Sequence, residues 1–483
     1  MIPWRRVRSF VVGACAVVVS ALVGCGADRE ETSAPEAGQP DDWDEELRLP
    51  EASDTNAAPD VVELELTARV AELEIVPGAK TSAWTYGGTI PGPLIRARRG
   101  DRLIVHFRNE LPEATTIHWH GVRVPVEMDG APDMPKPPVE PGGSFDYDFV
   151  LPDAGLFWYH PHVDSAAQLG SGLHGALLVE DPDEPEGLGD ELVLVLSDLG
   201  VDDDGSLWGT EGGGDLGALF GREGNRVLVN GRTRPTLRPR AGLRQRWRIV
   251  NAAKSRYFWM DLGGETLRRV GGDGGLASAP VESTSLVVVP GARADVLVTP
   301  VVDPGQTRVV RSLPYDRGYG TAFNEPIEDL FPIEAADLAA ERSAPAPDTA
   351  RAIEAIDVTG AMPVEIDLTM EQTESEIVLG IDGVPFGEAE PVHASVGETQ
   401  LWTVRNTMAW AHPFHLHGFF FQAVDEAGAP VSPLEWRDTV DIPVDGAARF
   451  AVRYDPRPGM WMFHCHILDH ADLGMMGMIN VEK

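Results

Sequence analysis

Three stretches of the chain alternate apolar and polar residues in the same way, and each is bracketed by the same two residues. Gly100 to Asn109 reads Gly-Asp-Arg-Leu-Ile-Val-His-Phe-Arg-Asn. Gly242 to Asn251 reads Gly-Leu-Arg-Gln-Arg-Trp-Arg-Ile-Val-Asn, and Gly397 to Asn406 reads Gly-Glu-Thr-Gln-Leu-Trp-Thr-Val-Arg-Asn. In each, Gly and Asn stand nine positions apart. A period of two is the signature of a half-buried strand. Aligned on the Asn, Val105 and Phe107 match Trp247 and Ile249, then Trp402 and Val404, and these are expected to point inward. His106, Arg248 and Thr403 alternate with them and are expected to point outward. A Gly/Pro turn precedes every copy: Gly88-Thr-Ile-Pro-Gly-Pro, Gly231-Arg-Thr-Arg-Pro and Gly383-Val-Pro-Phe-Gly. Three copies of one unit mean three similar domains, predicted here as antiparallel β-sandwiches with Greek-key character. Their expected spans are 60–183, 184–345 and 346–483. An Ala/Pro/acid-rich linker near Glu334 to Ala355 precedes the third.

Composition supports this reading. A chain of 483 residues suits two to four domains. Its 51 Gly and 39 Pro favour short strands joined by turns over helical bundles. The net charge of -37, with Lys80, Lys136, Lys254 and Lys483 the only lysines, argues against binding nucleic acid or anionic lipid surfaces. The acidity is read as a solvated surface.

The N-terminus is expected to lie outside the fold. Trp4-Arg5-Arg6-Val7-Arg8 is a positive start, and Phe10 to Val23 is an apolar run too short to span a bilayer comfortably. Leu22-Val23-Gly24-Cys25 is similar to the lipobox of bacterial lipoproteins. Residues 1–24 are therefore expected to be a signal peptide, and Cys25 a lipid anchor and the sole membrane contact. Acidic residues 25–59 are expected to be a disordered tether. The protein is expected to be exported, periplasmic or at the cell surface. The three cysteines are Cys15, Cys25 and Cys465. Cys15 leaves with the signal and Cys25 carries lipid, so Cys465 has no disulfide partner and is a candidate metal ligand.

Ten of the 13 histidines fall in two regions. The first domain holds His118-Trp-His120-Gly121 and His160-Pro161-His162. The third holds His412-Pro-Phe-His415-Leu-His417-Gly418 and His464-Cys465-His466-Ile-Leu-Asp469-His470. His118 lies nine residues past Asn109 and His415 nine past Asn406, while Gly155 and Gly459 precede His160 and His464 by five. Residues i and i+2 of a strand face one side, so each His-X-His pair aims two imidazoles at one place. If the two domains pack about a pseudo-twofold axis, eight imidazoles converge. In the middle domain the equivalent residues are Met260 and Leu262, followed by Gly263, so that domain keeps the fold without metal pairs. Cys465, His470 and Met475, with His412, add a thiolate, two imidazoles and a thioether. That set makes a blue-copper electron-transfer site, and zinc would gain nothing from the thioether. The first domain carries Pro161 where the third has Cys465 and Thr115 where it has His412, so only the third has this mononuclear site. His106, His174 and His393 are read as structural or surface residues.

These residues resemble the multicopper oxidase family in its three-domain, laccase-like bacterial form. So do Gly272-Asp273-Gly274-Gly275 and Trp436-Arg437-Asp438-Thr439-Val440. The resemblance implies cupredoxin folds and four copper ions per chain. Type 1 copper would take His412, Cys465, His470 and Met475, and type 2 would take His118 and His415. One type 3 copper would take His120, His160 and His466, and the other His162, His417 and His464. The implied reaction passes single electrons from a small reducing substrate to the type 1 copper. They then travel through Cys465 to a cluster that reduces O2 to water. Asp129, nine residues after His120, matches a family acid thought to assist with protons. The Glu often found after the last type 1 histidine is here Ala471, for which Asp469 or Asp472 could stand in. An axial Met stabilises the oxidised state, so a low-to-medium type 1 potential is expected.

Phenols, aromatic amines and metal ions are the candidate substrates. The long loops, such as Tyr315 to Ala340, contain no Met, which disfavours a dedicated cuprous oxidase. The alternatives are a metal-ion oxidase (cuprous, ferrous or manganous) of copper resistance or metal homeostasis and, further off, a non-enzymatic copper-binding protein.

Overall fold

Each of the three repeat glycines enters its strand with positive φ (98° at Gly100, 82° at Gly242, 86° at Gly397), a turn that a Cβ disfavours. Each repeat asparagine closes the strand with its side chain. Asn109 Nδ2 donates to the carbonyls of Glu113 and Val139, and Asn251 Nδ2 to those of Arg256 and Val288, all at 2.8 Å. Asn406 Nδ2 donates to the carbonyl of Trp410 at 2.6 Å. In all three, Oδ1 accepts the amide two residues on. The repeat is thus a turn, a strand and a clamp on the following loop. In the first and third copies that loop leads to the first His-X-His pair.

The computed structural model describes residues 38–132, 135–209, 214–303, 305–318, 326–347, 351–372 and 377–483. The proposed signal peptide, Cys25 and residues 25–37 of the expected tether lie outside them. The described strands form six sheets, two to a sandwich. The first pair is built between Val61 and Glu180, the second between Asp190 and Glu334, and the third between Met362 and Glu482. The inward-facing repeat residues Val105, Phe107, Trp247, Ile249, Trp402 and Val404 are all buried at 1% exposure or less. Burying one such Trp, at about 200 Å², contributes about 5 kcal/mol.

Four sequence expectations need correction. The sandwiches are not purely antiparallel. In each, the Gly-to-Asn strand pairs in parallel with an earlier one: Val61–Leu73, Asp190–Leu199 and Met362–Gln372. Arg248, expected to face outward, is buried because its sheet face abuts the first sandwich, and it forms ion pairs with Glu184 and with Glu191 of its own sandwich. Thr403 is also buried. Finally, residues 38–59 are not a free tether. Trp43 and Leu47 sit in the core of the second sandwich, and Leu49 in a core shared by the first two. Asn230 Nδ2 donates to the Leu47 carbonyl, and Glu46 pairs with Arg238 at 2.8 Å. Apolar residues spaced four and two apart are enough to seat this acidic strap.

Helix is confined, among the described residues, to α1 (Ser165–Gly170), α2 (Gly214–Phe220), α3 (Leu468–Asp472) and one short 3-10 turn at Val126–Met128. α1 and α3 each follow the strand that ends in a second His-X-His pair.

Candidate metal centre

The four His-X-His pairs meet between the first and third sandwiches, and all eight rings are buried. His118 lies opposite His160 across one strand pair, and His415 opposite His464 across the matching pair. A pseudo-twofold relation extends to the rings. His118 stacks on His417 at 3.9 Å between centroids, and His120 on His415 at 3.7 Å. Each stack joins one sandwich to the other.

Hydrogen bonds fix which nitrogen is bare in six of the eight rings. Nδ1–H of His118 donates to the Asp129 carbonyl (2.8 Å), and that of His415 to the Asp438 carbonyl (3.0 Å). Nδ1–H of His160 donates to the Pro161 carbonyl (2.9 Å), and that of His464 to the Cys465 carbonyl (2.8 Å). His417 Nδ1–H donates to Asp129 Oδ2 at 2.8 Å. All five leave Nε2 as a lone pair aimed inward. His120 is the exception: its Nε2 faces Asp438 Oδ1 at 3.3 Å, leaving Nδ1 bare.

The bare nitrogens converge on metal-sized sites. Nε2 of His464 lies 3.1 Å from Nε2 of His417 and 3.3 Å from that of His162. The rings of His120, His160 and His466 lie 5.0 to 5.7 Å apart. Nε2 of His118, His160 and His415, and both nitrogens of His466, have no hydrogen-bond partner. Burial, then the neighbouring imidazoles, holds the rings of His120, His160, His162, His417, His464 and His466 below the usual histidine range, to about 3 at His464. They are neutral, and so many unpaired lone pairs in a dry site fit bound cations.

The second cluster joins His412, Cys465 and His470. Cys465 Sγ lies 3.5 Å from His412 Nδ1 and 3.6 Å from His470 Nδ1, and the two nitrogens are 3.1 Å apart. Cys465 is an unpaired, buried thiol that burial pushes above its ordinary range, so its thiolate needs a cation beside it. Met475 is fully buried, and its carbonyl accepts the Cys465 amide at 3.1 Å. His470 Nε2–H donates to the carbonyl of Leu219 in α2, so the second sandwich covers this cluster. Since His464 and His466 flank Cys465, one tripeptide belongs to both clusters.

Asp129 stands where the sequence placed it, against His118 and His417, with Oδ1 unpartnered. Neither stand-in for the relay acid reaches a cluster ring by a hydrogen bond. Asp469 accepts from the Arg222 amide and guanidinium, and Asp472 accepts from the Ser165 and Ala166 amides of α1. Ala471 is buried.

Two partners were missed from sequence. Asp438 was noted only as part of a signature, yet it supports His415 and His120 as Asp129 supports His118 and His417. Arg293 was not singled out. It opens the strand Arg293–Val298, whose six residues are all buried, and an Arg at the head of that strand was the available signal. It holds Asp438 at 2.8 Å through Nη1, and Asp273 of the Gly272-Asp-Gly-Gly275 signature accepts the Arg293 amide at 2.8 Å. Burial raises Asp438, but the Arg293 guanidinium outweighs it and holds the carboxyl well below its usual range, while burial lifts Asp273 to about 6.

Family models for multicopper oxidases match residues 68–184, 190–321 and 357–483. The multicopper oxidase MmcO of Mycobacterium tuberculosis is 31% identical over 448 residues, 85% of each chain. A laccase of Bacillus subtilis is 25% identical over 472 residues, 83% of this chain and 90% of that one. Among solved structures, a multicopper oxidase from Campylobacter jejuni, described as a metallo-oxidase, superposes with a TM-score of 0.80. It is 27% identical and covers 92% of this chain and 99% of that one.

Proposed function

Because this chain belongs to the multicopper oxidase family, a copper-dependent oxidoreductase family that passes electrons from reducing substrates to O2, we propose that it holds four copper ions. His412, Cys465, His470 and Met475 hold the type 1 ion, and His118 and His415 the type 2 ion. His120, His160 and His466 hold one type 3 ion, and His162, His417 and His464 the other. What carries this reading is the set of bare imidazole nitrogens between the first and third sandwiches, joined through His464-Cys465-His466 to a thiolate site. When bound, the copper ions supply one-electron acceptance from substrate and four-electron reduction of O2 to water.

The chain's own groups organise that chemistry. Backbone carbonyls and two aspartates orient the rings, and burial excludes bulk water. Asp129 Oδ2 holds the proton on His417 Nδ1, and its free Oδ1 is placed to pass protons where oxygen is reduced. Cys465 gives a covalent path from the thiolate site to both flanking histidines. Phenols and aromatic amines are the proposed electron donors. Around the type 1 ligands lie Trp410, Phe220 and the stacked pair Tyr257–Tyr315, 5.1 Å between centroids. Oxidation of a metal ion is the second reading, favoured by the likeness to a metallo-oxidase. The protein is proposed to act outside the cytoplasm, anchored by lipid on Cys25.

The test is oxygen uptake by the copper-loaded protein with phenols, aromatic amines, and cuprous, ferrous and manganous ions. Uptake with phenols is expected. Turnover of metal ions alone would replace the laccase-like reading with the second, and copper binding without any uptake would make the protein a store.

A further inference from the structure

The two halves of the histidine cluster each use one aspartate, and the two aspartates are held differently. Asp129 keeps one carboxylate oxygen unpartnered. Asp438 has both oxygens gripped by Arg293, Nη1 to Oδ1 at 2.8 Å and Nη2 to Oδ2. Arg293 is fully buried and comes from the middle sandwich, which has no metal pair of its own.

All five guanidinium protons of Arg293 are satisfied, and by three different sandwiches. Nε donates to the Leu156 carbonyl of the first at 3.1 Å. Nη1 and Nη2 donate to the Gly291 and Asp273 carbonyls of the second at 3.0 Å, and the remaining two go to Asp438 of the third. Asp273 completes the clamp by accepting the amides of Arg293, Thr439 and Asp438 at 2.8, 3.2 and 3.4 Å. Thr439 Oγ1 adds a 2.8 Å bond to Asp438 Oδ1.

Space is reserved for this arrangement. Gly121, which follows His120, has φ 85°, and a Cβ there would overlap Arg293 Nη2 and come within 2.7 Å of Asp438 Oδ2. Gly291 has φ 84°, and a Cβ there would lie 2.7 Å from His466 Cδ2.

We propose that Arg293 is a positioning residue for the copper cluster, which fixes Asp438 and through it the ring orientation and bare nitrogen of His120 and His415. Asp438 touches both: its carbonyl accepts the His415 Nδ1 proton, and its Oδ1 faces His120 Nε2. Without the clamp the carboxylate turns, and His120 loses the partner that directs Nδ1 inward. Only a planar fork grips both oxygens at once, so lysine does not replace it.

This inference rests on the proposed copper assignment, and its test separates the two. Arg293→Lys and the double variant Arg293→Met/Asp438→Asn are loaded with copper beside the wild type. The double variant removes the charge together with the carboxylate it grips, so Asp438 is not left as an unpaired buried charge, and Asp273 keeps its three amide donors. Copper per chain, the type 2 paramagnetic resonance signal, the near-ultraviolet absorption of the type 3 pair and the blue absorption are read. Both variants are expected to keep the blue absorption and to change the type 2 and type 3 signals. Copper affinity of the cluster, or oxygen reduction, should fall about 10- to 100-fold. An Arg293→Lys protein with wild-type copper content and type 2 signal overturns the clamp alone. A wild-type chain that takes up no copper overturns the assignment beneath it.

Discussion

The first and third sandwiches carry their histidine pairs on matching strands, but four equivalent positions beyond those pairs differ. Where the third has His412 and Cys465, the first has Thr115 and Pro161. With Gly172 to Gly175 aligned on Gly474 to Gly477, Gln168 stands at His470 and Leu173 at Met475. In the first sandwich Thr115 Oγ1 donates to Gln168 Oε1 at 2.7 Å, and Gln168 Nε2 donates to the Ala114 carbonyl at 2.9 Å. The place is filled and electrically neutral. In the third, the same place holds three groups, two neutral rings and a thiol, that a cation would stabilise as a set. One fold thus supports a closed polar plug or a set of groups that could hold a metal ion, and four side chains decide which.

Cys465→Ser brings the third site nearest to the first and should have the largest effect. Blue absorption and oxidase turnover should both vanish; turnover that survived would mean electrons reach the cluster another way. Asp129→Asn tests the other asymmetry, between a free carboxylate and a clamped one. Oxygen reduction should slow about 10- to 100-fold, while anaerobic bleaching of the blue absorption by substrate keeps its rate. Equal slowing of both would assign Asp129 to the fold instead of to protons.

His174 occupies the position of Met476 and is buried with neither ring nitrogen hydrogen-bonded. Burial lowers it to about 4 from an ordinary 6.5. The unfolded chain therefore takes up its proton first, and stability falls as pH drops from 6.5 towards 4, by up to about 3 kcal/mol. Thermal melts of His174→Met across that range should show a shallower decline than wild type; an unchanged slope would clear His174. Gln168→Leu should cost about 1–3 kcal/mol by stranding Thr115, read as a lower melting temperature with copper spectra intact. Met475→Leu, which installs the first sandwich's residue, should leave the blue colour and raise the type 1 potential. A lowered potential would remove Met475 from the ligand set.

Much of this comparison is legible in the sequence because it is periodic. Strand alternation put His118 and His120 on one side, and the Gly-to-Asn interval put His415 in the same register. Cys465 stood out because it had no disulfide partner. What escaped is held by contacts remote in sequence. Arg293 reads as a surface charge until Leu156 and Asp438 close around it, 137 and 145 residues away. Asp438 lies too far past His417 to mirror the nine-residue interval from His120 to Asp129. Trp43 and Leu47 are sparse apolar residues in an acidic stretch, and only the core of the second sandwich makes them an anchor. The parallel strand pairs were missed because alternation fixes which face a residue takes but not the direction of its neighbour.

His162 and His464 meet with 302 residues between them. During synthesis the first two pairs are made long before their partners exist, and until the chain closes they can offer a metal only half a coordination shell. Full affinity arises in the step that brings the last sandwich onto the first, so metal capture adds its free energy to contacts that close a loop of about 300 residues. Copper is then less a passenger of the finished fold than the latch that makes its final closure hard to reverse, and a chain that closes without copper should reopen more readily at that seam than anywhere within a sandwich.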